Sequence, residues 1–163
     1  MSNYLNDATK SRGIRNNNPG NLIYTNDAWI GKIPYAQNKD TGKHFEQFKE
    51  MKYGVRAMMK DLIGDINKGK NTALSLISEY APSFENNTGA YIKTVTGMIG
   101  IGLNDVIDLS EETIIGLCKA MVFVENGKDS KYVLDQDYKD AVAILGIPLK
   151  KKVAAHCPTC SCQ

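Results

Sequence analysis

Residues 109–127, LSEETIIGLCKAMVFVENG, constrain the fold most, because they read as a helix with a marked start, a marked stop and one apolar side that must be covered. Ser110 has the short oxygen-bearing side chain of an N-cap. Glu111 and Glu112 lie where the helix dipole favours negative charge, and Leu109 and Ile114 have the spacing of a hydrophobic staple. Ile114, Leu117, Cys118, Met121 and Val122 follow at helical spacing, and Gly127 supplies a residue that accepts the left-handed conformation ending a helix.

Glu125 lies three turns beyond Ile114 and, at 3.6 residues per turn, within about 20° of the same line along the helix. It therefore belongs to the apolar side, unless it curls round the helix end into water with Asn126. Partial burial and the negative end of the helix dipole both disfavour a carboxylate, so both raise its pKa toward that of a general acid. Such a group can protonate the bridging oxygen of an acetal.

Other helical stripes are available to cover this face. Val55, Met58, Met59, Leu62, Ile63 and Ile66 form one over residues 52–68. Thr72 can cap a short helix over 73–80, stopped by Pro82, and Thr88 another over 89–99 with Tyr91, Ile92, Val95, Met98 and Ile99 inward. Asp135 or Asp137 can open a last helix that ends at Gly146 and Pro148. The N-terminal part differs. Four Asn, a Pro and a Gly over residues 16–21 make a tight loop with exposed amides, and 22–24 read as a short extended piece. Residues 27–48, with a turn at 40–42 and the alternation His44-Phe45-Glu46-Gln47-Phe48, read as a small irregular sheet or hairpin. The expected class is α+β, mainly α-helical, with a small N-terminal β-element.

With 163 residues, 42% of them hydrophobic, the chain suffices for one core: a polar lead over 1–11, one domain over 12–149, and a basic, Cys-rich flexible tail over 150–163. No run approaches the roughly 18 apolar residues of a membrane span, and MSNYLNDATKSRG lacks the apolar core of a secretory signal. The net charge of +2 divides unevenly, 12 Lys and Arg against 7 acids through Ser75, then 5 against 11 from Leu76 to Pro148. Neither part interleaves basic clusters with aromatics as a nucleic-acid surface does, so neither nucleic acid nor a membrane is an expected partner. His156, Cys157, Cys160 and Cys162 crowd into seven residues without the two separated ligand pairs of a structural zinc site, and no metal is expected.

RGIRNNNPGNL, Trp29-x-Gly31, Phe45-x-x-Phe48, YGVRAM, YAPSFENNTGAYIKTV and VENG, taken in order, resemble a family of phage virion-associated lytic proteins that includes the cystovirus lysin and belongs with the lysozyme-like transglycosylases. The resemblance covers residues 12–127. It implies a lysozyme-like domain that cleaves the β-1,4 bond between N-acetylmuramic acid and N-acetylglucosamine. Its partners would be bacterial peptidoglycan and, in a particle, other virion proteins. No cofactor is implied. The protein would reside in the virion or the host cytoplasm before release and act on the cell wall.

In soluble lytic transglycosylases and goose-type lysozymes a catalytic Glu ends a helix, a glycine-containing loop lining the sugar site follows, and an E…Y-x-x-x-V segment comes later. By that comparison VENG supplies the catalytic Glu125, NNNPGNL the loop, and Glu85, Tyr91 and Val95 the third segment. The Glu-bearing helix comes last here, as though the fold were circularly permuted, which requires residues 12–24 to pack against the end of the 109–127 helix. Asn16, Asn17, Asn18, Asn21, Trp29, Glu85 and Tyr91 become candidate substrate-binding residues. Anhydro-ring formation needs one carboxylate. Hydrolysis needs a second at about 5 to 9.5 Å, for which Asp40 and Glu46 are candidates. The alternative is a non-catalytic virion structural or peptidoglycan-binding module on the same fold.

Overall fold

The computed structural model describes residues 2–82 and 87–150 and is mainly helical: α1 (Arg12–Arg15), α2 (Met51–Asn67), α3 (Ala73–Tyr80), α4 (Thr88–Ile99), α5 (Glu111–Asn126) and α6 (Asp135–Ala143). Glu85 and the tail residues His156, Cys157, Cys160 and Cys162 lie outside the described residues.

The α2 stripe is buried as its spacing predicts, from Val55 to Ile66, and joins Leu76 and Ile77 of α3, Ile92 and Val95 of α4, and Ile114, Leu117, Cys118 and Met121 of α5 in one core. α2 packs on α6, α3 on α4, and α4 on α5. Arg56 fixes the first of these contacts. Its Nε donates to the Ile144 carbonyl at 2.7 Å, satisfying an acceptor that the end of α6 leaves open, and burial lowers the guanidinium pKa.

The helix starts follow capping chemistry. Ser110 Oγ accepts from Thr113 N and Thr72 Oγ1 from Ser75 N. At α4 the cap is Asn87, whose Oδ1 accepts from Ala90 N, one residue before the expected Thr88. Met98, expected inward, is 52% exposed. Residues 27–48 form short 3-10 turns and isolated antiparallel bridges, Ile23 to Phe45 and Lys32 to Phe48, with no continuous strand among the described residues. Side chains hold this region in place of a ladder: Asn38 Nδ2 donates to the Phe45 carbonyl, and Gln47 Oε1 accepts from Lys39 N.

The loop after α1 lies directly on α2. A Cβ at Gly54 would collide with the Asn17 carbonyl, a backbone atom with no freedom to retreat. Gly54→Ala is therefore expected to cost about 3 kcal/mol or more by overpacking. Gly64→Ala, on the same helix with no atom within 4 Å, should stabilise by up to about 1 kcal/mol through helix propensity. Thermal denaturation of the two variants checks this opposition of sign.

Candidate active site

Glu125 stands in the last turn of α5, partly buried, with both carboxylate oxygens engaged. Asn21 Nδ2 donates to Oε2 at 2.8 Å and the Tyr91 hydroxyl to Oε1 at 3.1 Å. The expected close approach of residues 12–24 to the end of this helix is present, across 104 residues of sequence. Burial pushes the Glu125 pKa up, and the bonds from Asn21 and Tyr91 oppose that rise. A carboxyl group so balanced can both lend a proton and take one back.

The Asn-rich loop reaches this position because Asn can adopt positive φ: 50° at Asn17 and 51° at Asn21. Asn126 holds the loop in place. Its Nδ2 donates to the Pro19 carbonyl at 2.8 Å, and its Oδ1 accepts from Ser11 Oγ at 2.9 Å. A Cβ on Gly13 would collide with the same Oδ1, so α1 must present glycine there.

Glu125 and Asn21 open onto a cleft of about 700 Å³. Trp29, Ile23, His44 and Phe45 line it from the N-terminal segment, and Asp61, Asp65, Glu79 and Tyr80 from α2 and α3. Of the candidate substrate-binding residues, Trp29 and Asn21 face this space.

Asn16, Asn17 and Asn18 do not, and the expectation of exposed amides is corrected for all three. They are at most 1% exposed, and their amides take the place of a sheet ladder. Asn16 Nδ2 donates to Asp40 and Asn17 Nδ2 to the Phe48 carbonyl, while Asn18 Nδ2 donates to the Leu22 and Glu46 carbonyls. Tyr91 is not among the residues lining this cleft: at 4% exposure it donates its hydroxyl to Glu125 and orients the carboxylate.

Neither proposed second carboxylate lines the cleft. Asp40 is buried under a two-pronged bond from Arg12, with Nε to Oδ1 and Nη2 to Oδ2 both at 2.9 Å. Burial alone would raise its pKa, but Arg12, Asn16 and the Phe45 N–H hold it at about 2. Glu46 has no exposed surface; its Oε1 accepts from Lys32 Nζ and Thr25 N, both at 2.9 Å. Both acids tie the N-terminal segment together. They are structural because their partners are fixed cations and backbone donors.

The acid that the sequence reading missed is Asp61, whose pKa is pushed up to about 6 by burial first and then by Asp65, with Asp27 and Glu79 adding to the effect and Lys68 opposing it. Asp61 and Asp65 lie four residues apart on α2, a like-charge spacing visible in the sequence beside the apolar stripe. The folded chain holds this proton up to about pH 6, whereas an ordinary Asp loses it at 3.8. Stability contributed by this group therefore falls between about pH 4 and pH 6 and is level above. Asp61→Asn should raise stability at pH 7 by roughly 1–2 kcal/mol, after discounting for solvent in the cleft, and by nothing below about pH 4. Urea denaturation at the two pH values measures the difference. Among the described residues, no group of three or more His, Cys, Asp and Glu is arranged to hold a metal ion.

No protein-family model matches the chain. Over 130 residues it is 33% identical to Protein P5 of Pseudoalteromonas phage PM2, a match that covers 77% of each chain. The chain belongs to the family of Protein P5. The P5 relative comes from a bacteriophage, and its name describes no activity. In this member of the P5 family, no helix among the described residues is long and apolar enough to cross a membrane.

Proposed function

We propose that this chain is a bacteriophage peptidoglycan-cleaving enzyme with a lysozyme-like domain in permuted order. Its target is the β-1,4 bond between N-acetylmuramic acid and N-acetylglucosamine, and Glu125 is its acid and base. The observation that carries the reading is the environment of Glu125: a partly buried carboxyl with raised pKa, oriented by Asn21 and Tyr91 at the wall of a cleft that also presents Trp29. A sugar ring stacks on Trp29. Glu125 donates its proton to the glycosidic oxygen as the bond from C1 of the muramic residue to that oxygen breaks.

The second half of the reaction is anhydro-ring formation. Asp40 and Glu46 are tied into structural ion pairs, and the acids that line the cleft from α2 and α3, Asp61, Asp65 and Glu79, are not among the groups that set the Glu125 pKa, which are burial, Asn21 and Tyr91. One carboxylate serves this route twice. Having given up its proton, Glu125 takes the proton of the C6 hydroxyl of the same muramic residue. That oxygen bonds to C1, and the 1,6-anhydro sugar leaves with no water consumed. Clearing of a peptidoglycan suspension by the purified protein tests the reading; a suspension that stays turbid at micromolar protein contradicts it.

A further inference from the structure

Asn21 can orient Glu125 only if its own backbone is held, and this backbone lies in a loop between α1 and the N-terminal segment. Two side chains from distant elements grip the two residues before it. Asn126, next to Glu125 on α5, donates to the Pro19 carbonyl at 2.8 Å. Tyr80, the last residue of α3, donates its hydroxyl to the Gly20 carbonyl. The packing around Gly20 is built for this bond: a Cβ there would collide with the Tyr80 hydroxyl and press on Met58 of α2. The Tyr80 hydroxyl also lies within electrostatic reach of Tyr91, Glu125 and Asp61, so it sits at the junction of the acid and the α2 wall of the cleft.

We propose that Tyr80 is a positioning residue of the active site, which by fixing the Gly20 carbonyl sets where Asn21 delivers its N–H to Glu125. Asn126 approaches from α5 and Tyr80 from α3, so the loop is located relative to two helices at once. A loop held at Pro19 alone retains rotation about the following bonds, and a displacement of about 1 Å at a catalytic group can cost roughly 10²-fold in rate. The inference rests on Glu125 being the acid, and it is tested by a measurement that does not depend on turnover.

The side-chain carboxyl of Glu125 is followed by ¹³C NMR through a pH titration in the wild type, in Tyr80→Phe, in Asn21→Ala and in the double variant. Asn21 lowers the Glu125 pKa by donating to it. Loosening the loop weakens that bond, so the Tyr80→Phe midpoint moves to higher pH in the direction of Asn21→Ala. The double variant moves no further than Asn21→Ala alone, because both changes act through one hydrogen bond. Where wall lysis is measurable, Tyr80→Phe lowers kcat by roughly tenfold with KM little changed, and the basic limb of the pH profile shifts upward with the NMR midpoint.

Gly20→Ala, which pushes the hydroxyl away by a different route, gives the same shift and serves if Tyr80→Phe folds poorly. A midpoint unmoved in Tyr80→Phe and Gly20→Ala, or shifts that add in full in the double variant, overturns the role of Tyr80. A protein that shows the expected NMR shifts but never cleaves peptidoglycan keeps this role for Tyr80 and removes the enzymatic reading instead.

Discussion

Glu125→Gln is expected to abolish wall lysis while leaving the protein folded and able to bind peptidoglycan. Gln occupies nearly the same volume and its carbonyl can still accept from Asn21 or Tyr91, but an amide cannot lend a proton to a departing oxygen. The catalytic step should fall by roughly 10² to 10⁴ or more. Folding should be little affected or slightly improved, since an acid whose pKa burial has raised disfavours the folded state once ionised, and the amide removes that charge. Lysis, sedimentation with insoluble peptidoglycan and thermal denaturation, measured on one preparation, separate the three properties. Near wild-type lysis by this variant would place the acid elsewhere.

Asp40→Ala should destabilise the fold strongly and in a pH-dependent way. The carboxylate is the common acceptor for the Arg12 guanidinium, the Asn16 amide and the Phe45 N–H. Truncation strands all three, and loss of one partner of a buried pair costs about 3–5 kcal/mol. Arg12 is partly open to water, so about 2–4 kcal/mol is expected, a fall in Tm on the order of 10 °C. The pH dependence has a definite sign. The folded pKa of about 2 lies below the ordinary 3.8, so the stabilisation is present above about pH 4 and is lost as pH falls toward 2. Wild type and Asp40→Ala should therefore converge in stability in strong acid. Parallel curves across that range would show that Asp40 acts through packing and not through its charge.

The helical part of this chain was legible in its sequence because local rules and burial agree there. The α2 stripe and the caps Ser110 and Thr72 follow from spacing and composition, and the structure has them where those rules put them. Glu125 was legible for the same reason, as an acid on the apolar line of a helix with a marked end. The N-terminal segment was not, because side-chain hydrogen bonds between distant residues organise it. An Asn in a turn reads as exposed; Asn16, Asn17 and Asn18 are inside because they meet the backbone of residues 22, 46 and 48 and the carboxylate of Asp40. No local pattern announces such partners. Asp40 and Glu46 look like available acids until Arg12 and Lys32 are placed beside them. Asp61 was within reach of sequence reasoning, through its like-charged neighbour one turn away. Tyr80 was not, since its role depends on a loop 60 residues earlier in the chain.

The products formed from purified peptidoglycan test the central claim most directly. Soluble fragments released by the wild-type protein are separated and their muramic ends identified by mass spectrometry. One carboxylate acting twice predicts 1,6-anhydro-N-acetylmuramic ends, each lighter by one water than a reducing end, and no uptake of ¹⁸O from labelled water. Reducing N-acetylmuramic ends carrying ¹⁸O would contradict the one-carboxylate mechanism and require a second group in the cleft, and glycan strands left intact would contradict the enzymatic reading itself.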